Sequence, residues 1–159
     1  MDGLTILCDS REKTPLTFSN LPSKKSSLYT GDYTIEGLEE RFVVERKTLQ
    51  DLVGSLSTNR DRFFRELHRM RGSSFRRLLI VASPSAIELK GYRGKMAPRS
   101  VWASLCAIQA RYDIPFVFES DPSKASLLVE QWAFWFYRES LRHTKNVPPT
   151  PSWAVPSVH

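Results

Sequence analysis

The sequence predicts an α/β domain in which helices cover a central sheet. Three observations carry this. Short apolar runs of strand length alternate with amphipathic stretches of helical period. The run at 78–82 is wholly apolar, as suits a strand of a parallel or mixed sheet buried on both faces. Finally, 159 residues, 41% hydrophobic and 25% charged, are enough for one domain with its own core.

In chain order, residues 4–9 alternate and carry Ile6 and Leu7, which predicts a strand ending at Asp9. The stretch 11–27 is rich in Ser, Pro and Lys and reads as a loop. Residues 28–35 and 42–47 read as paired strands joined by a turn around Gly37. Thr48 opens a helix whose Leu49, Leu52, Val53 and Leu56 make one apolar face. A second helix is expected over 59–71, with Asn59 as N-cap, Gly72 beyond its end, and Phe63, Phe64, Leu67 and Met70 as its buried stripe. After the strand at 78–82 come a helical turn at 84–89, the loop KGYRGK at 90–95 and a helix over 98–112. A strand at 115–119 precedes a last helix from Pro122 to about His143. Residues 1–145 therefore read as one domain, and 146–159, with four prolines, as a tail either mobile or draped over the surface.

The formal charge of +6 and a pI near 9.5 favour polyanionic partners, nucleic acid among them. No apolar run reaches the roughly 18 residues of a membrane span, so no membrane association is expected. The N-terminal residues lack the features of a signal peptide, which predicts an intracellular protein, cytoplasmic or nucleoid-associated. Cys8 and Cys106 fit no CxxC spacing and read as core residues. His68, His143 and His159 are isolated, which argues against a histidine metal site.

The chemistry concentrates at 42–47. Alternation sends Val43, Glu45 and Lys47 to one face and Phe42, Val44 and Arg46 to the other. An acid and an amine side by side at the end of a largely apolar strand can serve one site, although ExK alone equally describes an exposed ion pair. Asp32, after Gly31, lies on the strand expected to pair with this one, and Asp9 ends another. Three carboxylates and a lysine suit Mg²⁺ (or Mn²⁺), which one or two carboxylates hold while phosphate and water complete the shell. Asp9 could instead cap the following turn, and Asp51 could complete a capping box with Thr48.

Gly31–Asp32, a spacer of twelve, then Glu45–Arg46–Lys47 and Asp51 spell GDx(12)ERKx(3)D. This resembles the signature of the XPF family of structure-specific endonucleases. Asp9–Ser10–Arg11–Glu12 resembles the family's opening D-x-R-E, and the segment from Leu52 through Arg60 resembles the stretch after the family's ERK motif. The likeness runs from Ile6 to about Ala82, half the chain. It implies a restriction-endonuclease-like central mixed sheet flanked by helices. It also implies a divalent-metal phosphodiesterase acting on branched, flap or junction DNA in repair, recombination or replication. On that reading Asp32, Glu45 and Asp9 bind metal, Lys47 aids the attacking water or the transition state, and Arg46 organises the site from behind. Arg11, Glu12 and Arg60 fall at motif positions. Two departures stand out. Ala82–Ser83 replaces the acidic residue the family often carries there, and 159 residues leave no room for a tandem helix-hairpin-helix module, so a stand-alone nuclease domain is expected.

The pair Lys24–Lys25 and the loop carrying Tyr92, Arg93 and Lys95 are candidate DNA contacts, with Tyr92 stacking on a base; a solvated charge run reads as well. In the last helix, Leu128, Trp132 and Trp135 form one stripe and Leu127, Phe134 and Leu141 another. Two apolar faces predict burial on two sides, either in a homodimer, which the resemblance also implies, or in a monomer core. A separate DNA-binding or replication/repair protein is a further expected partner. The alternative class is a catalytically silent DNA-binding or scaffold subunit, disfavoured because every principal motif position is filled.

Overall fold

The computed structural model describes residues 3–144 and 146–156; the end of the expected tail, with His159, lies outside the described residues. Six strands form one mixed sheet in the order β2-β1-β3-β4-β5-β6. They are β1 (Ile6–Asp9), β2 (Ser23–Ser26), β3 (Tyr33–Ile35), β4 (Phe42–Thr48), β5 (Phe75–Val81) and β6 (Phe116–Phe118). β1 runs parallel to β2 and antiparallel to β3, β3 is antiparallel to β4, and β4, β5 and β6 are parallel. The α/β class and the mixed sheet are those the sequence predicts.

Two cores lie on the two faces. On one, α1 (Leu49–Leu56), α2 (Arg60–Met70), α3 (Pro84–Glu88) and α4 (Pro98–Tyr112) pack over Val43, Leu78 and Ile80. On the other, α5 (Pro122–Ser140) covers Ile6, Tyr33, Phe42, Val44 and Leu79. Local chemistry starts these helices where they start. Thr48 Oγ1 accepts from the Asp51 N–H at 3.1 Å, while Pro84, Pro98 and Pro122 open α3, α4 and α5, where a missing N–H costs nothing. Among the described residues no helix is long and apolar enough to cross a membrane.

The structure corrects several expectations. β2 lies in the stretch read as loop; its SKKS sequence has no apolar alternation, because it is an exposed edge strand held by backbone pairing. Residues 28–32 precede β3 instead of extending it, and β5 begins at Phe75, where Arg76 is anchored by the Asp113 carboxylate at 3.0 Å. Asn59 makes no side-chain cap to α2. Cys106 is exposed, whereas Cys8 is buried.

Helix α5 ends at Ser140 and buries Ala125, Val129, Glu130, Ala133 and Phe134; Leu127 and Trp135, from the expected stripes, are exposed. Buried Glu130 accepts from the backbone of Asn20 and Leu21, both at 2.7 Å, and from the Asn20 amide at 3.0 Å. These bonds hold the 11–22 segment against α5. The described part of the tail also lies on α5: Trp153 packs edge-on to Phe134, and its carbonyl accepts from Gln131 at 2.7 Å.

Candidate active site

Strand alternation places Glu45 and Lys47 with Val43, on the face covered by α1 and α2. The same alternation, read from buried Cys8 and Tyr33 on the α5 face, turns Asp9 and Asp32 to the α2 face as well. Three acids from three segments therefore lie on one side of the sheet, Glu45 directly beside Asp32. All three are nearly buried: Asp9 is 6%, Asp32 8% and Glu45 3% exposed.

Asp32 owes its position to Gly31. That glycine adopts φ +78°, and a Cβ there would stand 2.2 Å from Val43 Cγ2. The turn lets the Asp32 N–H reach the Val44 carbonyl at 2.9 Å while Asp32 Oδ2 accepts from the Arg46 N–H at 2.7 Å. Asp9 is oriented by the Arg11 guanidinium at 2.9 Å and by the Leu28 N–H at 3.2 Å. Arg46 points to the opposite face, as alternation predicts, and pairs with Glu12 at 3.0 Å.

A further carboxylate completes the group. Glu66, on α2, accepts from the Gly31 N–H at 3.3 Å and lies beside Glu45. In the sequence it is one acid among arginines on the polar side of an amphipathic helix, which reads as a surface residue. The signal available was its place one position before Leu67 of the buried stripe. Arg62 was missed as well; it lines a cleft of about 270 Å³ together with Lys47, Asp51, Ser55 and Glu66.

The electrostatics follow from crowding acids under cover. Burial pushes the Glu45 carboxyl well above the ordinary range, and the adjacent carboxyls of Asp32, then Glu66, add to it. Glu45 Oε2 is buried with no hydrogen-bond partner. Burial likewise raises Glu12, with Asp32 adding to it, up to about 7 despite the guanidinium of Arg46. Lys47 holds its ammonium 5.1 Å from the centre of the Phe63 ring. Among the described residues no three His, Cys, Asp or Glu side chains form a ready metal cage. The donor set nevertheless suits a hard cation that needs only one or two carboxylates, and an orphaned buried carboxylate oxygen is what such a cation would satisfy.

The other expected residues divide. Asp51 is exposed; its N–H caps on Thr48, and it lines the same cleft. Arg60 turns away, donating to the Leu56 carbonyl at 3.2 Å and stacking on Phe64 at 4.5 Å. Lys24 is tied to Glu36 at 2.7 Å, and Lys25, paired with Cys8, lies on the face away from the acids. Tyr92 is buried, with its hydroxyl donating to the Met96 carbonyl at 2.7 Å, so its ring is not available for base stacking. Arg93 and Lys95 are exposed, and the Gln50 amide clamps the Arg93 backbone at 2.8 and 3.2 Å, which brings their loop to the edge of the cleft.

The family model for the ERCC4 domain matches residues 8–131. Among solved structures, XPF from Aeropyrum pernix is similar with a TM-score of 0.70 and 25% identity, over 93% of this chain and 68% of that one. XPF from Aeropyrum pernix in complex with DNA gives a TM-score of 0.66 and 24% identity, over 86% of this chain and 66% of that one. No curated protein matches the sequence.

Proposed function

The chain belongs to the ERCC4 domain family, and from that premise we propose that it is a divalent-metal-dependent endonuclease acting on branched, flap or junction DNA. The observation that carries the reading is the buried, partnerless Glu45 Oε2, set among Asp32 and Glu66 with Lys47 on the same strand face. A structural ion pair on an exposed strand would leave neither oxygen buried nor the acid surrounded by other acids.

Asp32, Glu45 and Asp9 are the residues proposed to hold Mg²⁺ or Mn²⁺. When bound, the ion would polarise a phosphoryl oxygen and make a bound water more acidic. Lys47, at the open end of β4, is placed to donate to the scissile phosphate or the attacking water. Arg46 and Arg11 act by position: one fixes Asp32 through its backbone N–H and Glu12 through its guanidinium, the other orients Asp9. Arg62, Arg93 and Lys95 around the cleft supply positive charge for the DNA backbone.

The half-exposed Trp132 and the exposed Leu127 and Trp135 on α5 support the proposal of a homodimer. A silent scaffold subunit remains the competing class, and the filled acid and lysine positions weigh against it. The test is cleavage of labelled fork, flap, Holliday-junction, single-stranded and linear duplex DNA with Mg²⁺ or Mn²⁺. Metal-dependent cutting confined to branched substrates supports the proposal; binding of forks without cutting in any metal favours the scaffold.

A further inference from the structure

Tyr29 is 85% exposed, yet the backbone on both sides of it is fastened to the candidate catalytic acids. One residue before it, the Leu28 N–H donates to Asp9 and the Leu28 carbonyl accepts from Arg11 at 2.7 Å. Two residues after it, the Gly31 N–H donates to Glu66, and Asp32 is the next residue. The Leu28 side chain is buried, which anchors the segment further. An aromatic ring is thus held open to solvent at a fixed place beside the acids, although folding offers it no burial.

Arg69 lies next to it. Its guanidinium is 5.4 Å from the Tyr29 ring centre, and on α2 it follows Glu66 by three residues, on the same side of the helix. Tyr29 and Arg69 both line a cavity of about 690 Å³, with Ser26 and Thr30 supplying hydroxyls; those of Thr34 and Ser73 already donate to the Phe42 and Glu40 carbonyls. Its floor includes Leu7 and Thr34, paired residues of β1 and β3 on the face that carries Asp9 and Asp32. The cavity therefore continues the acid-bearing face of the sheet beyond α2.

We infer that Tyr29 and Arg69 form a stacking platform for an unpaired nucleobase next to the scissile phosphodiester, with the nucleotide entering this cavity. Three features select this occupant. The volume lies in the range of small-ligand pockets, the size of one nucleotide and too small to contain a base pair with its backbones. An aromatic ring beside a guanidinium is the surface on which bases of any sequence stack. Glu39 and Glu40 also line the cavity, which disfavours a phosphate inside it and favours a base with exocyclic amino groups. The backbone phosphates are then left outside. Paired DNA cannot fill the cavity without losing a base from its stack, so the platform is a determinant of preference for DNA with a single-stranded segment.

The inference rests on the endonuclease reading, and its test does not need cleavage. Binding is measured without metal, on a fork carrying at its first unpaired position a fluorescent adenine analogue whose emission falls on stacking. A linear duplex serves as control. Wild type and Tyr29→Phe are expected to quench the analogue. Tyr29→Ala should lose the quench and bind the fork about 5- to 150-fold more weakly, with duplex affinity unchanged. At 85% exposure the alanine leaves the core untouched. A Tyr29→Ala protein that keeps both the quench and the fork preference overturns the inference alone. A wild type that binds no DNA here and cuts none in Mg²⁺ or Mn²⁺ overturns the endonuclease reading and the inference with it.

Discussion

The backbone N–H of Arg46 donates to Asp32 Oδ2 at 2.7 Å, while the side chain of the same arginine reaches through to the other face and pairs with Glu12 at 3.0 Å. One residue thus holds two neighbouring acids, Asp32 through its backbone and Glu12 through its side chain. Alternation turns its neighbours Glu45 and Lys47 to the face covered by α1 and α2, where Lys47 lines the cleft and Glu45 lies buried beside Glu66.

Arg46→Ala keeps the bond to Asp32, which uses only the backbone, and removes the partner of Glu12. We expect cleavage to fall about 10- to 100-fold, the range for groups that orient a metal's ligands, with unchanged circular dichroism. Full activity in this variant would show that the Arg46–Glu12 pair plays no part in positioning.

Glu66 should support metal binding, since it adjoins Glu45 and steadies the turn at Gly31. Glu66→Gln keeps the shape and a group able to bond Gly31, but removes the charge. The Mn²⁺ or Mg²⁺ concentration for half-maximal cleavage should rise by about tenfold or more. An unshifted metal titration would assign Glu66 a purely structural role.

Gly31→Ala combines a left-handed backbone with a Cβ 2.2 Å from Val43 Cγ2. Steric crowding and backbone strain together predict a loss of about 2–4 kcal/mol in urea unfolding. A loss below about 0.5 kcal/mol would mean that the turn relaxes freely.

The metal-free protein should be more stable at mildly acidic than at alkaline pH, as far as this cluster is concerned. Glu45 and Glu12 both hold protons more tightly folded than unfolded. Their contribution is therefore complete below the unfolded value and lost as pH rises through the folded one. For Glu12 that window runs from 4.5 to about 7. Divalent cations bind the charged carboxylates, so Mg²⁺ should raise Tm more at pH 8 than at pH 5. Equal shifts at the two pH values would contradict the cluster as the metal's binding place.

Much of this was legible in the sequence where side-chain pattern and burial agree. The period-two pattern of β4 put Glu45 and Lys47 together, and the glycine before Asp32 marked a required turn. What escaped did so for identifiable reasons. β2 is stabilised by backbone pairing at a sheet edge, which leaves no trace in side-chain hydrophobicity. Glu66 is joined to Glu45 by the docking of a helix on a sheet, a relation that no local spacing encodes. Tyr92 looked like a surface aromatic because lysines and arginines surround it, yet the Met96 carbonyl gives its hydroxyl a partner and lets the ring be buried. On α5 the bulky stripes were legible and Phe134 of one is fully buried, but Ala125, Val129 and Ala133, which pack closely on the sheet, are too small to mark that face in the sequence.

The most direct test of the central claim is single-turnover cleavage of a labelled DNA fork in Mg²⁺ or Mn²⁺ by the wild type, Asp32→Ala and Lys47→Ala. The account predicts cutting by the wild type and a loss of about 100-fold or more in each variant, with fork binding retained by Lys47→Ala. Cleavage that persists in both variants would contradict the assignment of this cluster as the active site.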